Sequence, residues 1–365
     1  MTKSIKFKRE LKPGLFEYGN MGHEFRPFVQ FTNEDNYRTK IVNTDRLGFR
    51  KTFFKNKLLG IDDLKKNSSS QNIIIGGSTA FGMGSTSDKT TISSFLNSQG
   101  SLWFSLGVRG AVGRQELITL LSVKNFFPKI KNIIILSGIN DLAMCAGSNS
   151  MYYNDFGGMM GSPTDRFYSG FLQSSAFSNS NLTLGRAKLF HFIFYLSNKS
   201  KFFKFLLVNL FSKFRASKLQ IKTKKISTSL NFKKKLANLK KITENDFQTW
   251  SAIANQFNIN LVYILQPGIT WTKKKPTNYE EKIIAYEKIR IKKYSNHDFS
   301  KKNVYLDFKN FLKTICSKNS IKFYDGNELI LKAKKNQDFF IDFTHFSDYG
   351  NSFIAKTIMN IIKKK

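Results

Sequence analysis

Residues 72–84 read NIIIGGSTAFGMG: an apolar, β-branched run followed by a glycine-rich loop that carries a serine at position 78. A short isoleucine run bounded by glycine is typical of a buried strand. The loop that follows is compatible with three structures: a phosphate cradle, a tight strand-to-helix turn, or a nucleophile presented at a strand end. Features elsewhere in the chain separate these alternatives.

The segments around this stretch alternate between strand-like and helix-like patterns from residue 71 onward. Strands are predicted at 72–75, 102–106, 132–136, 260–265 and 321–324, and helices at 90–99, 114–127, 246–257, 279–293, 308–317 and 352–363. Such alternation predicts an α/β domain with a parallel, doubly wound sheet. We expect residues 1–70 to form a polar, irregular N-terminal extension. The α/β domain then spans 71–365, interrupted at 142–245 by a loop and a basic, Phe/Lys-rich helical insertion.

The composition places few limits on function. The 365 residues suffice for one domain of catalytic size with insertions or extensions. The formal charge of +34 suits a polyanionic partner. A coding bias towards A/T-rich codons explains the same abundance of Lys, Asn, Ile and Phe, and we prefer that interpretation. Two cysteines, Cys145 and Cys316, exclude a disulfide framework or a cysteine-based metal site. Neither a secretory signal nor an apolar spanning run is visible, so a cytoplasmic location is expected.

The glycine-rich loop does not match the common phosphate-binding patterns. A P-loop ends in Gly-Lys-Ser/Thr, but the first lysine after these glycines is Lys89. The dinucleotide pattern G-x-G-x-x-G fails too, because the glycines fall at 76, 77, 82 and 84. A structural turn and a displayed Ser78 therefore remain.

Three further segments contain polar or glycine residues that could contribute to a site. Two of them follow predicted strands, and the third precedes the last helix. The stretch DFTHFSD places Asp342 three residues before His345, a spacing that lets the carboxylate accept the Nδ1 proton and leaves Nε2 as a base. Asn140 follows the NIIIL strand, where its side-chain amide can point at developing negative charge. Capping of the next helix is the alternative role. A glycine turn at 107–113 can bring backbone N–H groups close to a ligand. Of the other histidines, His191 lies in an apolar run and is interpreted as a packed or membrane-side residue. His23 and His297 lie in polar surroundings without a partner pattern.

Together these segments predict one site at one sheet edge. A serine follows the first strand, a glycine turn follows the second, and an asparagine follows the third. The loop before the last helix contains an Asp–His pair. A serine nucleophile, an oriented histidine base and several amide donors form a site for acyl transfer.

The four segments resemble, in order, the blocks of the SGNH/GDSL hydrolase superfamily: GGST at 76–79, SLGVRGAVGRQEL at 105–117, GIND at 138–141 and DFTHFSD at 342–348. NTDRLGFR and YILQPG are also similar to elements of a bacterial subgroup with an N-terminal extension. The resemblance covers roughly 71–141 and 246–365. It implies a three-layer α/β/α sandwich around a mostly parallel, five-stranded, flavodoxin-like sheet.

The resemblance also implies roles for five residues. Ser78 is the nucleophile, His345 the base and Asp342 its orienting carboxylate. The N–H groups of Ser78 and Gly110 and the side-chain amide of Asn140 form the oxyanion hole, with Gly107 and Gly113 as alternatives to Gly110. Ser105 stands where the family often has Asn, which puts one supporting hydrogen bond in question.

These roles imply a serine esterase that acts on an O-acylated carbohydrate or lipid and needs no metal or organic cofactor. Transfer of the acyl group to a polysaccharide hydroxyl at the same site is the alternative. A non-catalytic binding protein is the third class, disfavoured by the complete residue set and by the lack of a nucleic-acid motif. The basic insertion at 181–245 has three interpretations: peripheral contact with an anionic membrane, a lid over the site, or a helical insertion packed on the core.

Overall fold

The computed structural model describes residues 15–26, 28–65, 70–146, 232–294 and 297–363. The strands are β1 (His23–Arg26), β2 (Gln30–Asn33), β3 (Thr52–Phe54), β4 (Lys57–Leu59), β5 (Gln71–Gly76), β6 (Leu102–Ser105), β7 (Ile130–Ser137), β8 (Asn260–Leu265) and β9 (Lys322–Asp325). The helices are α1 (Leu15–Asn20), α2 (Ile61–Lys65), α3 (Ser78–Phe81), α4 (Ile92–Asn97), α5 (Gly113–Val123), α6 (Ile139–Ala146), α7 (Phe232–Gln256), α8 (Asn278–Tyr294), α9 (Lys302–Lys318), α10 (Gly326–Leu329) and α11 (Asp348–Lys363).

The core of the fold is a five-stranded sheet with the order β6-β5-β7-β8-β9. All four pairings are parallel, which confirms the predicted doubly wound sheet. The isoleucines at 73–75 are fully buried, as expected for a strand covered on both faces. This strand order is the flavodoxin-like one, in which ligands bind at the point where the order of the strands across the sheet reverses. Here the reversal lies between β5 and β7.

Helices cover both faces of the sheet and complete the predicted three layers. Parallel crossovers are right-handed. The connection from β5 to β6 and the connection from β6 to β7 run in opposite directions across the sheet, so α4 and α5 lie on opposite faces. In agreement, α4 packs against α11, whereas α7 packs against α5, α6 and α9.

Helix α7 begins at Phe232, well before the helix predicted from residue 246. The lysine-rich sequence hides its periodicity, but Lys235, Leu239, Phe247 and Trp250 are all buried along one face. The predictions for residues 147–231, including most of the basic insertion, lie outside the described residues. Among the helices that are described, none is long and apolar enough to cross a membrane.

The N-terminal extension is more ordered than its polar composition predicts. It contains two antiparallel hairpins, β1–β2 and β3–β4. Phe31, Phe49, Ile61 and Leu64 are buried in the same apolar core as the sheet isoleucines. The expectation of an irregular segment is therefore wrong for its described part, because strands of three or four residues are too short to leave a readable alternation.

Candidate active site

Ser78 lies just beyond the carboxyl end of strand β5, as the first residue of the short helix α3. The two preceding glycines are required by close contacts. A side chain at Gly76 would collide with the Leu136 carbonyl of β7, and a Cβ at Gly77 would lie 2.5 Å from the Asn140 amide nitrogen. Glycine therefore lets the chain leave the strand in a tight turn and brings Ser78 close to the end of β7.

His345 and Asp342 meet Ser78 in one chain of hydrogen bonds. The His345 Nε2 atom lies 2.6 Å from the Ser78 hydroxyl oxygen, and Nδ1 lies 2.6 Å from Asp342 Oδ2. The other carboxylate oxygen, Oδ1, accepts the backbone N–H groups of Thr344 at 3.0 Å and His345 at 2.8 Å. The carboxylate thus holds the imidazole so that Nε2 can take the serine proton.

Asp342 is held in its ionised form. Burial acts to raise the pKa of this carboxyl group. The charge and hydrogen bond of His345, together with the two backbone N–H groups, outweigh burial and place the pKa well below its ordinary value. An ionised Asp342 favours the imidazole tautomer with the proton on Nδ1.

Among the described residues, one backbone N–H group of the glycine turn at 107–113 has no acceptor. The Gly107 N–H donates to Ser105 Oγ at 3.1 Å, and the Gly113 N–H donates to Asp141 Oδ1 at 3.2 Å. Within the part of the chain that the structure describes, no hydrogen bond uses the Gly110 N–H. Gly110 has a φ of 82°, in the left-handed region that favours glycine. Of the three candidate glycines, Gly110 is therefore the one with a backbone donor to spare.

Asn140 joins the third block to the second. Its Nδ2 atom donates to the Ala111 carbonyl at 2.7 Å and lies beside Gly77. Helix α6 begins at Ile139, so Asn140 and Asp141 lie inside its first turn, and the alternative role as a helix cap does not apply. An amide nitrogen carries two hydrogens, so one bond to Ala111 still permits another.

Two further residues, Ser105 and Gln266, support the site through hydrogen bonds. The sequence left the role of Ser105 open and did not indicate Gln266. Ser105 donates from its hydroxyl to the Ala80 carbonyl at 2.6 Å and so ties the glycine turn to α3. Gln266, directly after β8, donates to Thr79 Oγ1 at 2.5 Å and to the Thr344 hydroxyl. It thereby links the residues next to Ser78 and His345. The sequence signal that could have indicated Gln266 is a polar residue at the carboxyl end of a buried strand, in YILQPG.

The remaining histidines have different surroundings. His23 has a partner, contrary to expectation, because its Nε2 atom lies 3.3 Å from the Arg109 carbonyl oxygen. His297 packs edge-on against Phe232, and His191 lies outside the described residues. In the described ranges, no group of three or more His, Cys, Asp or Glu side chains is placed to hold a metal ion.

Comparison with known proteins finds similarity in structure only. No protein-family model matches the chain, and no curated protein sequence matches it. An acetyl xylan esterase, AlAXEase, is 11% identical with a TM-score of 0.38, over 80% of this chain and 99% of that one. A GDSL-like lipase from Bacteroides thetaiotaomicron is 11% identical with a TM-score of 0.36, over 81% and 88%. An extracellular lipase from Streptomyces rimosus is 10% identical with a TM-score of 0.39, over 80% and 99%. At these identities and TM-scores the activities of those proteins do not carry over to this chain.

Proposed function

We propose that the protein is a serine-dependent acyl-ester hydrolase. The observation that carries the proposal is the hydrogen-bonded chain from Ser78 through His345 to Asp342 at the carboxyl edge of the sheet. In the first step the Ser78 oxygen attacks the ester carbonyl carbon while His345 Nε2 takes its proton. His345 then protonates the leaving alcohol, and an acyl-serine remains. In the second step water attacks the acyl-serine with the same histidine as base, which releases the acid and restores Ser78.

The charge that develops on the carbonyl oxygen needs hydrogen-bond donors. We assign this role to the N–H groups of Ser78 and Gly110 and to the side-chain amide of Asn140. The Gly110 N–H, which has no acceptor among the described residues, and the position of Asn140 beside Gly77 support this assignment. Loss of one such donor typically lowers the rate by about 10²–10³.

On the resemblance of the four blocks, we propose an O-acylated carbohydrate or lipid as the substrate class. Acyl transfer to a sugar hydroxyl would use the same steps, with the hydroxyl in place of water in the second. A panel from acetylated sugars to long-chain acyl esters, with and without added acceptor alcohols, distinguishes hydrolysis from transfer by its products.

The proposal is tested with a fluorophosphonate probe, which reacts covalently with an activated serine. The wild type is expected to be labelled and to hydrolyse at least one ester of the panel, whereas Ser78→Ala should lose both properties. Ser98→Ala is the matched control, because Ser98 is an exposed serine at the end of α4, and it should retain both. Absence of labelling in folded wild-type protein, or equal labelling of Ser78→Ala, would refute the assignment.

A further inference from the structure

The N-terminal extension holds Arg109, the residue before Gly110, by all of its polar groups. The Arg109 backbone N–H donates to Asn33 Oδ1 at 3.0 Å, and its carbonyl oxygen lies 3.3 Å from His23 Nε2. Its guanidinium donates to three carbonyl groups, those of Tyr18 at 2.7 Å, Met21 at 2.7 Å and Gly22 at 2.6 Å. The hydrogen-bond donors of this basic side chain are thus bound by carbonyl groups of the extension.

Asn33 holds the backbone on both sides of Val108. While its oxygen accepts the Arg109 N–H, its Nδ2 atom donates to the Gly107 carbonyl at 3.2 Å and to the Gly48 carbonyl at 3.0 Å. Asn33 is completely buried, so these bonds are not exchanged with water. The start of the glycine turn is therefore anchored to the extension.

His23 contacts the peptide group that carries the Gly110 N–H. The Arg109 carbonyl and the Gly110 N–H belong to the same planar, trans peptide, so they point in opposite directions. Glycine at 110 leaves this peptide comparatively free to rotate. A group that holds the Arg109 carbonyl therefore also sets the direction of the Gly110 N–H.

The protonation state of His23 suits this contact. Burial, reinforced by the Arg109 charge, lowers the pKa of His23 to about 4, so the ring is neutral at neutral pH. A carbonyl oxygen can only accept, hence the tautomer in this contact carries its hydrogen on Nε2. The ring is oriented by edge-on packing against Phe31, with 5.2 Å between the ring centroids.

We propose that His23 is a positioning residue of the extension: by donating to the Arg109 carbonyl it directs the Gly110 N–H into the oxyanion hole, with Asn33 anchoring the same turn. This inference rests on the proposed hydrolase function and on Gly110 as an oxyanion donor. It assigns the extension, which lies outside the four blocks, a part in the chemical step.

The test compares three variants by ester hydrolysis. His23→Phe keeps an aromatic ring next to Phe31 but removes the donor, whereas His23→Gln restores an N–H donor. His297→Phe is the matched control, because His297 also packs edge-on against a phenylalanine, Phe232. Each variant is measured for kcat and KM over a pH series and for thermal stability.

We expect kcat of His23→Phe to fall by about 10-fold or more, towards the 10²–10³ typical of a lost oxyanion donor. KM and the pH limits of activity should stay unchanged, because the nucleophile and base are intact. His23→Gln should recover most of kcat, and His297→Phe should match the wild type. An unchanged kcat in His23→Phe, or a loss that His23→Gln does not rescue, would overturn the inference while leaving the hydrolase proposal standing. Absence of Ser78-dependent hydrolysis in the wild type would overturn both.

Discussion

Asp342 illustrates how a single carboxylate acquires its role from its contacts. Three hydrogen-bond donors surround it: the His345 ring and the backbone N–H groups of Thr344 and His345. They outweigh the effect of burial, so its pKa is well below the ordinary value. The carboxylate is therefore ionised at neutral pH.

Asp342→Asn is expected to lower kcat by about 10⁴, because an amide in place of the carboxylate favours the wrong imidazole tautomer. The change should also reduce stability. A lowered pKa in the folded state means that ionised Asp342 stabilises the fold above its ordinary pKa of about 4 and loses this effect as the pH falls below that value. The loss in unfolding free energy should therefore be larger at pH 7 than at pH 3.

Steady-state kinetics and urea unfolding at the two pH values check this prediction. Asp307→Asn is the control, since Asp307 is half exposed and pairs with Lys240 on the surface, and its kcat should be that of the wild type. A near-wild-type kcat in Asp342→Asn would exclude Asp342 as the residue that orients the base.

A buried carboxyl group links helix α5 to strand β7. The Ser137 hydroxyl of β7 donates to Glu116 of α5 at 2.6 Å. Burial and the nearby charge of Asp141 raise the pKa of Glu116 well above its ordinary value, against the opposing effect of the Ser137 hydrogen bond. Glu116 thus keeps its proton in the folded state where the unfolded chain would release it.

Glu116→Gln is expected to stabilise the protein, and more so at alkaline pH. Between about pH 4.3, the ordinary value for Glu, and the raised pKa, the folded state binds more protons than the unfolded state, so stability falls as pH rises. Glutamine keeps an oxygen acceptor for Ser137 and removes this dependence. Urea unfolding should show a larger gain in unfolding free energy at pH 8 than at pH 4.5. A gain that is equal at both values, or a loss at pH 8, would contradict a protonated Glu116.

A buried arginine, Arg50, joins the N-terminal extension to the domain that carries the sheet. Arg50 is 1% exposed and pairs with Asp88, 7% exposed, at 2.7 Å. Its remaining hydrogen bonds go to the Gly82 carbonyl at 2.7 Å, the Ile41 carbonyl at 2.7 Å and the Tyr18 hydroxyl at 2.9 Å. One side chain therefore connects the extension to the loop that follows Ser78 and α3.

Arg50→Met is expected to lower the unfolding free energy by about 3–5 kcal/mol, the usual effect of removing one partner of a buried ion pair. Asp88 would be left buried without its cation, and two carbonyl oxygens would lose a donor. Arg46→Met removes an ion pair with Asp62 whose side chains are 51% and 53% exposed, and should change stability little. Urea unfolding of both variants tests the difference, and similar losses would contradict the anchoring role of Arg50.

The strands of the sheet and the Asp342–His345 contact could be predicted from the sequence because each depends on neighbours along the chain. The isoleucine runs predict β5 and β7, and the Asp342–His345 spacing predicts a bonded pair. Gly110 could not be separated from Gly107 and Gly113 in this way, because the choice depends on Ser105 and Asp141, which occupy two of the three N–H groups. Residues 181–231 of the basic insertion lie outside the described residues, whereas its last part, 232–245, forms the first half of helix α7.

The stretch NIIIGGSTAFGMG thus carried enough local information to predict a strand, a turn and a displayed serine. Only the folded chain brought Ser78 to His345 and set His23 against Arg109, residues that are 267 and 86 positions apart. Periodicity and spacing report contacts within a few residues. Contacts across such distances are set by the packing of the extension and the sheet, which depends on the whole chain.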